Sequence, residues 1–297
     1  MSVHFSLASD SAYHAWRNAK LANYPKKIDD LIVRINDLRA LTAAETRALE
    51  TRCTRANMVL YDAPRQSAAD KSLPHQFARQ LGLNRLEGNY LADEDGLSSI
   101  TPASDEALGR GEYIPYTHKP INWHTDGYYN KPDRRIQGML LHCVQDADSG
   151  GENALLDTEI AYIQLRDTNP EYIAALMQQD AMTIPARMDE DNVARAAQSG
   201  PVFSVDATEG FLYMRYTART RSIEWKPDAL TQAAIKTLAE ILNDSEHVLR
   251  ARLVPGMGII CNNVLHTRSA FTDRPERRRL LYRGRYYDRL NFAANTA

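Results

Sequence analysis

Chemistry could start at the triplet His124-Thr125-Asp126. In a strand, side chains alternate with a period of two, so this imidazole and this carboxylate would project from one face and could reach a single metal ion. The ordinary alternative is a strand-end histidine hydrogen-bonded to its neighbouring acid. A second imidazole, His266, follows far along the chain in ICNNVLHTRS. Two imidazoles and one carboxylate form the facial set suited to non-haem Fe(II), which leaves adjacent coordination positions open. A satisfied core histidine is the competing reading of His266. The segment RRRLLYRGRYYD then carries Arg279, Arg283 and Arg285 at even spacing. As a strand it would line up guanidinium forks able to grip carboxylates bidentately. Otherwise it is a charged edge strand that discourages sheet aggregation, or a local nucleic-acid patch. Arg274, Arg277 and Arg278 read as plain surface.

Other side chains cluster near these in sequence. Tyr128 and Tyr129 follow the triplet and could wall a pocket or, with Tyr216 and Trp225, cage a quaternary ammonium on their ring faces. Core or rim packing is their everyday use. Arg215 and Arg219-Thr220-Arg221 border the same site or form a solvated loop. Asp93-Glu94-Asp95-Gly96 opens like a calcium loop, but the remaining ligand positions of an EF-hand are missing.

The elements that must position these residues can be read from patterning. The chain has 297 residues, 43% hydrophobic and 25% charged, which suffices for a substantial core and excludes a disordered polymer. One domain over 1–297 is expected. A formal net charge of −2 supplies no global footprint for nucleic acid, so a small-molecule partner is favoured. Three cysteines without a CxxC pair read as reduced thiols, with neither a disulfide framework nor a cysteine-ligated zinc site. The start, MSVHFSLASD, lacks the basic and apolar regions of a signal peptide, and no run of 18 apolar residues occurs, so a cytoplasmic protein without membrane contact is expected. A homo-oligomer is compatible with the sequence, which does not set its order.

Thr42 with Glu45 three positions on predicts a capped helix to about Thr54, followed by the strand NMVLYD. Gln76 to Leu81 reads as a short helix and Asp93 to Glu112 as a long loop. IPYTHKPINWHTD, IQGMLLHCV and GGENALLD read as strands. Helices are expected over Thr158 to Arg166, over Glu171 to Gln179 after Asn169-Pro170, and over Asp228 to Asn243, the last packing on a sheet. FSVD, GFLYMRY, VLRARLV, GIICNN and VLHTRS complete a strand-rich pattern without βα alternation or a phosphate loop.

With these motifs in hand, HTDGYYNKPDRRIQGMLLHCVQDADSGGENALLD, NNVLHTRSAF and RRLLYRGRYYD together resemble the Fe(II)/2-oxoglutarate-dependent oxygenases of the taurine dioxygenase and gamma-butyrobetaine hydroxylase superfamily. The resemblance covers residues 113 to 290. It implies a mainly β fold with helices, a double-stranded β-helix or jelly roll, with 1–110 packed on a core at 111–290 that carries a helical insertion. By that resemblance His124, Asp126 and His266 match the Fe(II) ligands, and Arg279 matches the clamp on the distal carboxylate of 2-oxoglutarate. Asn153 falls where a threonine commonly assists that carboxylate, and Arg278 or Arg283 could compete with Arg279. Arg283 matches a substrate-anion grip by the same resemblance, and Tyr128 and Tyr129, from their place after the triplet, could wall the substrate pocket. No catalytic side chain beyond the metal ligands is implied. The expected reaction consumes O2 and 2-oxoglutarate, releases succinate and CO2, and hydroxylates an unactivated C–H bond of a small anionic or zwitterionic metabolite. A silent jelly-roll binder and a zinc hydrolase using the same ligands are the alternatives.

Overall fold

The structure, a computed structural model, describes residues 2–65, 68–88, 92–103, 113–189, 192–219, 221 and 223–292. Two compact units are distinguishable. One comprises Pro25–Ile121, Ile136–Leu155 and Leu249–Ala297, the other Met1–Tyr24, Asn122–Arg135 and Leu156–Val248.

The first unit is built on a six-stranded sheet in the order Ile32–Arg34, Met58–Asp62, Met257–Cys261, Gly138–Gln145, Leu280–Tyr286, Ser98–Ile100. Its middle strands are near-continuous apolar runs, and Leu60, Leu140, Ile259 and Ile260 are all buried. Such runs suit strands covered on both faces. One cover is the Ala43–Ala56 helix, which starts as expected at Thr42 with a reciprocal capping box to Glu45. It ends at Asn57, whose φ of 53° breaks the helix just before the Met58 strand. The Ser72–Gln80 helix adds Leu73, Phe77 and Ala78 to the same core.

A four-stranded sheet runs Leu249–Ala251, Asn153–Leu156, Leu265–Arg268, Ile121–His124. The expected loop at Asp93 to Glu112 contains the strand Ser98–Ile100, paired antiparallel with Leu281 to Arg283. Its Ser-Ser-Ile sequence carries no strand pattern, and its partner confers the conformation. Residues 104–112 of that expected loop lie outside the described residues. Asp93 and Asp95 hold no calcium-like arrangement, since both carboxylates bind Lys71 Nζ at 2.7 and 2.8 Å.

The second unit is richer in helix: Asp10–Asn23, Thr158–Thr168, Pro170–Leu176 and Ala229–Asp244. Asp157, Asn169 and Asp228 cap the last three by accepting backbone N–H bonds from Glu159, Glu171 and Thr231. The Ala229–Asp244 helix was expected on a sheet, yet its main neighbours are the Thr158–Thr168 and Pro170–Leu176 helices. Periodicity identifies an apolar face, here Ala234, Leu238 and Leu242, but not what covers it. Short antiparallel pairs complete this unit, among them Phe203–Val205 with Leu212–Met214. Lys20 is buried between Asp157 and Glu159, at 2.7 and 2.5 Å, and links the first helix to the cap of the second. Among the described residues no helix is long and apolar enough to cross a membrane.

Candidate active site

His124 closes the strand Ile121–His124, so the expectation that Asp126 belongs to the same strand is corrected. Asp126 lies past the strand end, just after residues that are tied to the 216–218 segment. His124 faces Thr217 in an isolated antiparallel bridge, Ala218 N donates to Trp123 O at 2.8 Å, and Thr125 N donates to Tyr216 O at 3.0 Å. The buried Thr125 hydroxyl accepts in turn from Tyr216 N at 3.1 Å. His266 sits inside the strand Leu265–Arg268, entered through Asn263 at a φ of 51°, whose Nδ2 donates to Ile136 O at 2.7 Å.

One ligand atom from each of His124, Asp126 and His266 lies within 4.8 Å of the other two. Ligands about 2.1 Å from one shared ion stand roughly 3 to 4 Å apart, so small rotations would close the set. The two imidazoles share a further feature. His124 Nδ1 is 2.9 Å from Asn122 O, and His266 Nδ1 is 2.9 Å from Val264 O. A carbonyl partner puts the proton on Nδ1 and leaves the Nε2 lone pair for a metal, the outer support by which proteins orient histidine ligands. Two oriented imidazoles with a buried carboxylate fit a ferrous ion, and the donor set leaves coordination positions for other ligands.

The arginines of RRRLLYRGRYYD have three different environments. Arg279 precedes the strand Leu280–Tyr286, and the register is irregular between Leu280 and Leu281, so strand alternation does not carry through to Arg279. It is 5% exposed, and among the described residues its guanidinium makes no hydrogen bond or ion pair. Its carbon lies 5.0 Å from the centre of the Phe271 ring. Burial weakens its hold on its proton, offset by Cys143 and Asp273. The turn Gly150-Gly151, at φ 71° and 72°, makes room for it. A Cβ at Gly151 would stand 3.2 Å from Arg279 Nε, and one at Gly150 would collide with Ala270 O. Arg283 is half-buried, paired in register with Leu141 and Ser98. Arg285 is buried and closed off by Glu87 at 2.5 Å. Arg274 and Arg277 pair with Asp148 and Asp146, a more ordered surface than expected.

Asn153 is buried; its Nδ2 donates to Thr267 O at 2.9 Å, and Oδ1 has no hydrogen-bond partner among the described residues. Tyr128 and Tyr129 pack edge to face at 5.1 Å. Arg219 Nη1 donates to Tyr128 Oη at 3.1 Å, and the Arg195 guanidinium carbon lies 5.7 Å from the Tyr129 ring centre. Tyr216 and Trp225 pack on each other at 6.1 Å. Guanidinium groups thus attend Tyr128 and Tyr129, two of the four rings considered for a quaternary ammonium cage. Arg215 is no solvated loop residue: it is buried and donates to Tyr128 O, Met182 O and Gln198 O at 2.6 to 3.0 Å. Burial pulls its pKa down to about 10. Thr220 lies outside the described residues.

Sequence reasoning missed Phe271 and Arg268. The Arg268 guanidinium carbon is 4.8 Å from the Phe271 ring centre, and its Nη1 and Nη2 donate to four backbone carbonyls, those of Ile114, Pro115, Thr117 and Lys119. Burial and the neighbouring Arg279 bring its pKa down to about 9. No local signal marks either residue, because their significance lies in what they share.

The profile of the family described as "Taurine catabolism dioxygenase TauD, TfdA family" matches residues 64–284. A uridine-5'-phosphate dioxygenase from Amycolatopsis sp is 30% identical over 170 residues, which cover 55% of this chain and 60% of that protein. One from Streptomyces sp is 30% identical over 202 residues, 64% of this chain and 69% of that protein. The mitochondrial trimethyllysine dioxygenase of Rattus norvegicus is 29% identical over 177 residues, 56% of this chain and 40% of that protein. The chain therefore spans about three fifths of the length of the first of these relatives. Among solved structures, an asparagine oxygenase in complex with Fe(II), hydroxyasparagine and succinate matches with a TM-score of 0.59 at 16% identity, over 97% of this chain and 88% of that one. A taurine dioxygenase from Burkholderia xenovorans matches at 0.53 and 17% identity, over 86% and 87%. At such identities the likeness establishes the fold, as the sequence resemblance implied.

Proposed function

The chain belongs to the TauD, TfdA family of dioxygenases, and from that membership we propose that it hydroxylates an unactivated C–H bond of a small anionic or zwitterionic metabolite with Fe(II), 2-oxoglutarate and O2, releasing succinate and CO2. The observation that carries this reading is the gathering of His124, Asp126 and His266 with both imidazoles oriented through Nδ1. These three would hold the ferrous ion. When bound, the ion and its oxoacid supply the coupling of O2 reduction to oxidative decarboxylation, chemistry that belongs to the cofactor.

The chain's own residues bind and orient. Arg279, buried without an ion-pair partner among the described residues, would take the distal carboxylate of 2-oxoglutarate in a bidentate bond. Asn153 would assist with its remaining amide hydrogen, since one is committed to Thr267 O. Arg283 would grip the anionic head of the substrate, with Tyr128 and Tyr129 against its body. No side chain is needed to move a proton at the reacting carbon. The whole chain, 1–297, would act as a single oxygenase domain.

The named relatives act on an anionic nucleotide and on a trimethylated cation. Arg219 on the Tyr128 hydroxyl and Arg195 over the Tyr129 ring support an anion, because a fixed cation there would meet two guanidinium charges. A nucleoside 5'-phosphate is the first candidate.

Anaerobic addition of Fe(II) and 2-oxoglutarate to the apoprotein tests the reading. A visible charge-transfer band is expected, lost in His124→Ala and Asp126→Ala, followed by O2-dependent succinate formation with substrate. Turnover with zinc alone and no oxygen would make the protein a hydrolase. A band without any oxoacid consumption would make it a binder.

A further inference from the structure

We propose that Arg219 and Tyr128, with Arg195 and Tyr129 beside them, form a subsite for a phosphomonoester group of the substrate. This rests on the dioxygenase reading and revises one part of it: Arg219 and Tyr128, in place of Arg283, take the anionic head of the substrate.

The placement follows from register. Thr217 stands opposite His124, and the bonds Thr125 N to Tyr216 O and Ala218 N to Trp123 O continue the antiparallel pairing on both sides of that bridge. Residues two apart on such a ribbon share a face, so Arg219 falls on the same side as Thr217 and its partner His124. Two residues of strand span only about 7 Å, within the reach of an arginine side chain.

The chemistry follows from the contacts. Arg219 is exposed and forms no ion pair among the described residues; its one hydrogen bond, from Nη1, goes to the Tyr128 hydroxyl oxygen at 3.1 Å. That bond uses the oxygen as acceptor and leaves the phenolic hydrogen, along with the other guanidinium N–H groups, to donate outward. Arg215 fixes the Tyr128 carbonyl at 2.7 Å, so this tyrosine stands on a braced backbone. Arg195 brings a second guanidinium over the Tyr129 ring, and the two rings pack edge to face. Two guanidinium groups and a phenol hydroxyl match the charge and the several oxygens of a phosphomonoester, which arginine forks bind well.

Calorimetry on the anaerobic Fe(II) and 2-oxoglutarate complex, with uridine 5'-phosphate and uridine as probes, decides the matter. The wild type is expected to bind the phosphate at least tenfold more tightly than uridine. Arg219→Gln should bring that ratio close to one while leaving uridine affinity and the charge-transfer band unchanged. Arg219→Lys should restore part of it, and Tyr128→Phe should lower it about threefold. Equal binding of the two probes by the wild type, no binding of the phosphate, or a ratio that survives Arg219→Gln and vanishes in Arg283→Gln would each overturn the subsite. Failure of the band itself would instead count against the dioxygenase reading, since nucleotide binding is measured separately by its heat.

Discussion

Arg268 and Arg279 both lie within about 5 Å of the Phe271 ring and both are buried, yet their hydrogen-bond donors are engaged in opposite ways. Arg268 donates through Nη1 and Nη2 to four backbone carbonyls, those of Ile114, Pro115, Thr117 and Lys119. Arg279 has a ring face and a glycine turn for neighbours and none of those bonds. A buried guanidinium with its donors committed to carbonyls is a brace. One with its donors uncommitted is poised for a ligand, because burying an uncompensated charge is costly unless a counter-charge arrives. The same distinction sorts the rest: Arg215 is a brace on three carbonyls, and Arg285 is neutralised by Glu87.

The distinction is broken or sharpened most sharply by exchanging the two roles. Arg279→Gln should weaken 2-oxoglutarate binding a hundredfold or more, about 3 kcal/mol or above for a lost bidentate charged pair, with an unchanged melting temperature. Arg268→Met should do the reverse. Unfolding by urea should show a loss of about 2 to 3 kcal/mol, from carbonyls left without a donor, while 2-oxoglutarate affinity of the folded protein stays within a few-fold. Loss of oxoacid affinity in both variants, with stability equally lowered, would erase the contrast.

His142 extends the brace class to a titratable group. Its Nδ1 accepts from the Tyr61 hydroxyl at 2.9 Å, its Nε2 meets Ala68 O at 3.0 Å, and burial pushes its pKa down to about 4. Folded protein keeps the ring neutral, whereas the unfolded chain takes up a proton below about pH 6.5. Stability from this residue is therefore complete above pH 6.5 and falls as pH drops toward 4, by about 2 kcal/mol at pH 5. Denaturation of His142→Phe as a function of pH should lack that component. Smallest of all, Phe271→Leu should raise the 2-oxoglutarate dissociation constant about fivefold, near 1 kcal/mol for a lost cation–π contact, with kcat retained at saturation. An unchanged constant would mean that Phe271 does not orient Arg279.

Much of the site was legible because its parts are carried by residue type and by short local patterns. Thr42 and Glu45, Asn169-Pro170 and the strands around Met58 and Gly138 all express local rules that the tertiary structure keeps. The motif residues His124, Asp126 and His266 stand out for the same reason. What was not legible depends on partners remote in sequence. Ser98–Ile100 becomes a strand only through Leu281 to Arg283, and the apolar face of Ala229–Asp244 was assigned to a sheet because periodicity carries no information about the opposing surface. The even row of arginines looked like one device, but an irregular register before Leu281 and the acid Glu87 divide it.

From sequence alone came the chemical inventory: two imidazoles, a carboxylate and an arginine in the order of a known oxygenase family, carried by strand-rich segments with capped helices. Residue type determines what a side chain can donate, accept or ligate, and helix and strand periods are local, so both survive without coordinates. Tertiary structure alone decided which arginines commit their donors to backbone carbonyls and which do not among the described residues, that Phe271 lies beside two of them, and that guanidinium groups attend Tyr128 and Tyr129. Those outcomes depend on burial and on hydrogen-bond partners many residues away, and no local pattern encodes whether a buried donor has already met its acceptor.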